Sequence, residues 1–285
     1  MERRMPVAAN AFYEGTPEAC RRHVEKLLRG ASPPEGVGEP VGAIVPHAGW
    51  VFSGATAAKT LACFRDAAPE LFVLCGAVHR PASRHAQAHP EGVWVTPLGE
   101  MEVDAEALAA VKNAGIEVSS GNHKSEHSIE VQLPLIQALC PHAMILPIGV
   151  PHDERAASEG LKIGEALKGL AKKCAVVGST DLTHYGMGYA GPTHGPLPQA
   201  MPWMRENDAR FIRLVEALDA DAVVPEAAEH ANACGAGAVA ATMAAARVLG
   251  ATRGVKIEYT TSAEALGEVY ADRAVGYLGA LLVKE

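Results

Sequence analysis

The chain has 285 residues, of which 48% are hydrophobic and 20% charged, with a formal net charge of -8. A chain of that length buries a sizeable core as one large domain or two small ones. The acidic balance, with no basic tract, excludes general affinity for nucleic acid, and apolar runs such as LFVLCGAV and YLGALLV are too short to span a bilayer.

The opening residues, MERRMPVAANAFYEG, lack the apolar segment of a signal peptide, so a cytoplasmic protein is expected. The next stretch, TPEACRRHVEKLLRG, predicts a helix with Thr16 as N-cap, Pro17 in its first position and Gly30 at its end. Residues 30–40 read as a Pro/Gly-rich loop. Short apolar runs follow at 41–45, 71–78, 143–150, 174–179, 255–260 and 274–283. Several are apolar throughout rather than alternating, as in a sheet covered on both faces. Helical patterns lie between them at 54–65, 104–114, 126–140, 154–172, 203–218 and 235–249, and 93–104 reads as a hairpin or small side sheet. Strands alternating with helices predict a wound, mostly parallel α/β sheet flanked by helices. Residues 186–198 form a long Gly/Pro loop of the kind that often carries function. No composition break divides the chain, so residues 1–285 are expected to form a single domain.

In wound α/β sheets, ligands gather beyond the carboxyl ends of the strands. Three apolar runs deliver chemistry there. AIVPHAG ends on His47, LFVLCGAVHR on His79, and CAVVGSTDLTHYG carries Asp181 and His184. Imidazole is the commonest biological ligand for a transition metal. With 12 histidines in the chain, each one taken alone is an ordinary polar residue; repetition at strand ends is what marks these. His123 and His127 are four apart in HKSEHSIEVQLPLIQALC and would share a face if both were helical. If Ser125 caps that helix, His123 falls outside it and only His127 neighbours the site. Cys234, in ANACGAGAVAATMAAARVLG, precedes a helix whose N-terminus favours thiolate; the competing reading is a buried small residue. The other five cysteines, Cys20, Cys63, Cys75, Cys140 and Cys174, are scattered without a CxxC and read as buried thiols.

PVAANAFYEGTPEACRRHVEKLL, VPHAGWVFSGATAA, LCGAVHR, EHSIEVQLPLIQAL, GSTDLTHYG, ACGAGAVAATMAAA and DRAVGYLGALLV follow one another in an order that resembles the MEMO family, also called AmmeMemoRadiSam system protein B. The resemblance runs from about residue 4 to 283. It implies a fold like that of the class III extradiol dioxygenases, which use non-haem iron. By motif it implies a metal held by His47, His79 and Cys234, with His184 as catalytic acid/base, Asp181 beside it to hold its tautomer, and His127 lining the pocket. The usual second histidine after His79 is Arg80 here, and no arginine follows the glycine after Cys234. A thiolate in place of a carboxylate softens the donor set, so iron or copper is expected and zinc is compatible. The reading that follows is an iron- or copper-dependent oxidoreductase acting on a small-molecule or peptide ligand, with a radical-SAM partner protein implied by the family's second name. The alternative is a non-catalytic partner- or peptide-binding protein on the same scaffold; a metal hydrolase is a third.

Overall fold

The computed structural model describes residues 2–285 apart from positions 33, 35, 190, 192 and 268–271. Positions 33 and 35 of the loop at 30–40, and 190 and 192 of the loop at 186–198, thus lie outside the described residues.

The chain opens with β1 (Glu2–Arg4) and α1 (Pro17–Arg29). Thr16 caps α1 by accepting from the Ala19 amide, and Pro17 fills the first turn, where its missing N–H costs nothing. β2 (Glu39–Val45) leads through α2 (Trp50–Leu61) to β3 (Leu71–Gly76). A short β4 (Gln87–Ala88), the hairpin β5 (Gly92–Thr96) and β6 (Gly99–Glu102), α3 (Ala105–Asn113), β7 (Glu117–Val118) and α4 (Leu133–Leu139) precede β8 (Met144–Gly149). Then come α5 (Ala156–Lys168), β9 (Cys174–Ser179), β10 (His184–Gly186), α6 (Leu197–Ala217), α7 (Ala220–His230) and α8 (Ala236–Val248). β11 (Arg253–Thr261), α9 (Ser262–Leu266) and β12 (Arg273–Lys284) close the chain.

The main sheet runs β10-β12-β2-β9-β3-β8-β4-β7, with β11 also paired to β12. Its centre, β2-β9-β3-β8, is parallel and buried on both faces, which is why these strands read as unbroken apolar runs. The expectation of a mostly parallel sheet holds there and at the short β4-β7 pair. β12 runs antiparallel to β2, β10 and β11, and β4 antiparallel to β8. The link from Thr261 to Arg273 is short, which suits the antiparallel pairing of β11 with β12. The hairpin expected at 93–104 pairs with β1 to form a separate three-stranded sheet, β1-β5-β6.

One other expectation fails, and one helix was not foreseen, both for local reasons. The helix expected over 126–140 is a 3-10 turn at Glu130–Gln132 followed by α4, and Ser125 caps nothing. The Glu126 carboxylate accepts from the amides of His127 and Ser128 and holds the chain in a non-helical turn. α7 was hidden by its internal Pro225, although Asp219 caps it in the ordinary way.

The alanine-rich α8 is buried along Ala236–Ala246 and packs on α5. The close approach depends on Gly160, because a methyl group there would overlap the backbone of Ala241. What positions the functional residues is the register of the central strands. Val45 pairs with Ser179, Cys75 with Gly178, and Gly76 with Gly149, so β2, β9, β3 and β8 end together on one rim.

Candidate metal centre

His47 follows β2 and is 2% exposed. Its Nδ1 lies 2.9 Å from Ser179 Oγ, and that hydroxyl donates to the Ser128 carbonyl at 2.9 Å. The hydroxyl proton is thus committed, so Nδ1 must be the donor and Nε2 is left bare. Burial, reinforced by the neighbouring His79, pushes the His47 pKa down to about 3, which keeps the ring neutral in the ordinary pH range. Pro46 is held by Gln132, whose Nε2 donates to its carbonyl at 2.7 Å.

His79 follows β3. Its Nδ1 lies 3.0 and 3.2 Å from the two oxygens of Glu126, and its amide donates to the same carboxylate at 2.9 Å. Nδ1 again carries the proton and Nε2 is free. The hydrogen bond to Glu126 raises the His79 pKa against the effect of burial. Burial opposes ionisation of Glu126, but hydrogen bonds from His79 and from the Ser128 amide outweigh it and hold the carboxyl well below its usual range. The His127 ring stacks on His79 at 4.9 Å and meets Phe12 in a tilted contact at 4.3 Å. Burial and the adjacent His47 lower its pKa to about 4, so it is a neutral imidazole.

Cys234 stands before α8, with its amide bonded to the Asp181 carbonyl and the next amide, of Gly235, bonded to Thr180 Oγ1 at 2.9 Å. Its Sγ is 3.2 Å from His47 Nε2. The helix start does not produce a thiolate here. Burial pushes the thiol well above its ordinary value, and the Asp181 charge adds to the effect. Asp181 accepts from the His47 amide at 2.7 Å and is raised by its burial, against bonds from the His47 and Ala48 amides. It does not orient His184. The His184 Nδ1 lies 2.8 Å from the Leu182 carbonyl, which makes Nδ1 the donor and leaves Nε2 free.

A cavity of about 620 Å³ is lined by His47, His79, His127, Asp181 and His184, with Phe12, Phe52 and Tyr189 as aromatic walls. Donor atoms of His47, His79 and Cys234 all fall within 4.8 Å of one another, and so do those of His79, Glu126 and His127. Two ligands bound to one metal at about 2.0 and 2.3 Å stand about 3.1–3.6 Å apart. The 3.2 Å between His47 Nε2 and Cys234 Sγ matches that spacing. The residues therefore fit a transition metal: two imidazoles with bare Nε2 atoms and one sulfur form a donor set suited to iron, copper or zinc. Arg80 is exposed and does not line the cavity. His123 is separate from the site. It is buried beside His89 and Trp94, with Nε2 bonded to the Gln87 carbonyl.

Ser179, Glu126, Gln132 and Phe12 are the working neighbours that sequence reasoning did not single out. Ser179 and Glu126 do sit inside recognised motifs, GSTDLTHYG and EHSIEVQLP. Among the described residues no helix is long and apolar enough to cross a membrane.

The family model described as Memo-like protein matches residues 4–281. A MEMO1 family protein of Pyrococcus horikoshii is 36% identical over 293 residues, covering 98% of this chain and 99% of that protein. One from Methanothermobacter thermautotrophicus is 35% identical over 288 residues, covering 96% and 98%. One from Nitrosopumilus maritimus is 30% identical over 287 residues, covering 96% and 97%. With the ordered motifs and the end-to-end match, this chain belongs to the MEMO family.

Proposed function

We propose that this protein is a metal-dependent oxidoreductase, with His47, His79 and Cys234 as ligands and iron or copper as the working metal, zinc being compatible with the same donors. The observation that carries the reading is a pair of bare Nε2 atoms, on two histidines that line an open cavity, with the Cys234 sulfur beside the first of them. Three protein ligands leave positions for an exogenous molecule, and a bound iron or copper would supply redox chemistry there. The rest belongs to the chain. Asp181 fixes the backbone at His47 by accepting its amide. His184 moves a proton at Nε2, with its tautomer set by the Leu182 carbonyl. Neutral His127 lines the cavity, and Phe12, Phe52 and Tyr189 give it aromatic walls.

A second reading is favoured by one observation. Phe52, Tyr189 and Leu266 line the cavity yet are 37%, 46% and 44% exposed. An apolar mouth of this kind suits a non-catalytic partner- or peptide-binding protein, and a radical-SAM partner protein belongs to this proposal under either reading. The discriminating experiment is oxygen uptake by iron- or copper-loaded protein against a panel of aromatic and thiol substrates, with His184→Ala beside wild type. The oxidoreductase reading expects turnover in wild type and a loss of about 10²- to 10⁴-fold in His184→Ala with metal retained. No uptake on any substrate from fully loaded wild type would favour the binding protein.

A further inference from the structure

We infer that Glu126 fixes both the metal-facing tautomer of His79 and the net charge of the centre. The inference rests on the metal centre proposed above. The two imidazoles are backed by different chemistry. Behind His47 stands a neutral relay, Nδ1 to the Ser179 hydroxyl and on to the Ser128 carbonyl. Behind His79 stands a carboxylate whose side chain is 6% exposed. Glu126 accepts from the His79 amide at 2.9 Å, the His79 ring at 3.0 Å, the His127 amide at 2.8 Å and the Ser128 amide at 2.9 Å. Three backbone amides and the His79 ring converge on one carboxyl group, an arrangement that the ionised form satisfies with both oxygens accepting. The backbone amides anchor that charge, so it stays in place when a metal binds. Asp181, by contrast, turns to backbone amides and contacts no ring nitrogen of a ligand.

A divalent metal with one thiolate carries about +1, and the Glu126 charge directly behind His79 offsets it. A carboxylate behind an imidazole also makes its far nitrogen a stronger donor. Both effects favour the more highly charged state of a redox metal. Glu126 is therefore a positioning residue that lowers the reduction potential, whereas Ser179 only orients its ring.

The test uses full-length protein loaded anaerobically with Fe(II), its midpoint potential read by spectroelectrochemistry, and Co(II) affinity read by competition. Glu126→Gln should move the midpoint positive and weaken Co(II) binding about 10- to 100-fold. Glu126→Asp, which keeps the charge, should weaken binding with a potential near that of wild type. Ser179→Ala should weaken binding and leave the potential in place. A wild-type potential in Glu126→Gln, or an equal shift in Ser179→Ala, would overturn the inference. If Glu126→Gln fails to fold, long-range ¹⁵N spectra of Zn(II)-loaded wild type decide: the inference requires His79 bound through Nε2 with Nδ1 protonated, and metal on Nδ1 overturns it. A second equivalent of Co(II) that disappears in His127→Ala would make Glu126 a ligand and overturn it too. Wild type that takes up no metal sinks the metal centre itself, whereas an unchanged potential sinks only the role of Glu126.

Discussion

Asp208, on α6, illustrates how much of this site is held from a distance. Its carboxylate is fully buried, accepting from the Thr183 amide at 2.9 Å and the Tyr259 hydroxyl at 2.7 Å, and so it pins the turn between Asp181 and His184. Burial pushes its pKa up from 3.8 to about 6, against those two hydrogen bonds. A carboxyl raised on folding binds its proton more tightly in the folded state. Its contribution to stability is full below the unfolded value and is lost as pH rises through 6. The difference in stability between wild type and Asp208→Asn should fall by about 3 kcal/mol from pH 3.5 to pH 7. Urea unfolding of both proteins across that range checks it, and a flat difference would contradict it. Nothing near Asp208 in the sequence marks this role, because its partners come from β11 and the turn after β9. His47 and His79 were legible because each stands at the end of an apolar run, whereas Cys234, ahead of a helix, was marked as a ligand only by the family resemblance. Ser179, a small polar residue at a strand end, carries no such mark, and its relay exists only once β2 and β9 are in register.

Strands were the easiest elements to read, since double burial leaves β2, β3, β8 and β9 apolar along their length. Strand direction was not, because the antiparallel pairing of β12 with β2, β10 and β11 leaves no mark in the residue pattern. The turn at 126–129 went against its helical pattern because one side chain, Glu126, captured the amides that a helix would have used. The small residues of α8 allow close packing, and Gly160 is their counterpart on α5. Gly160→Ala should cost about 1–3 kcal/mol through overpacking, seen as a lower denaturation midpoint. An unchanged midpoint would mean that α5 and α8 separate without penalty. The strain would fall on the helix layer behind β9 and leave the donor residues in sequence untouched.

The cavity draws on parts that only the complete fold assembles. Loops after β2, β3 and β9 supply its floor, the start of β12 supplies Arg273, Ala274 and Val275, and the N-terminal arm supplies Phe12. That arm is fastened by a buried carboxylate, Glu130, which accepts from Arg4, the amides of Val7 and Ala8, and the Tyr13 hydroxyl. Arg4 in turn lies 3.8 Å over Trp94 and donates to the Glu126 carbonyl. One continuous network thus joins the small sheet to the segment carrying Glu126 and His127. The most direct test of the central claim is metal content by mass spectrometry after anaerobic purification, for wild type beside His47→Ala and Cys234→Ala, with folding checked by circular dichroism. Near-stoichiometric iron or copper in wild type, lost in both folded variants, is the predicted result. Wild type that stays empty after reconstitution, or variants that keep wild-type metal, would contradict it.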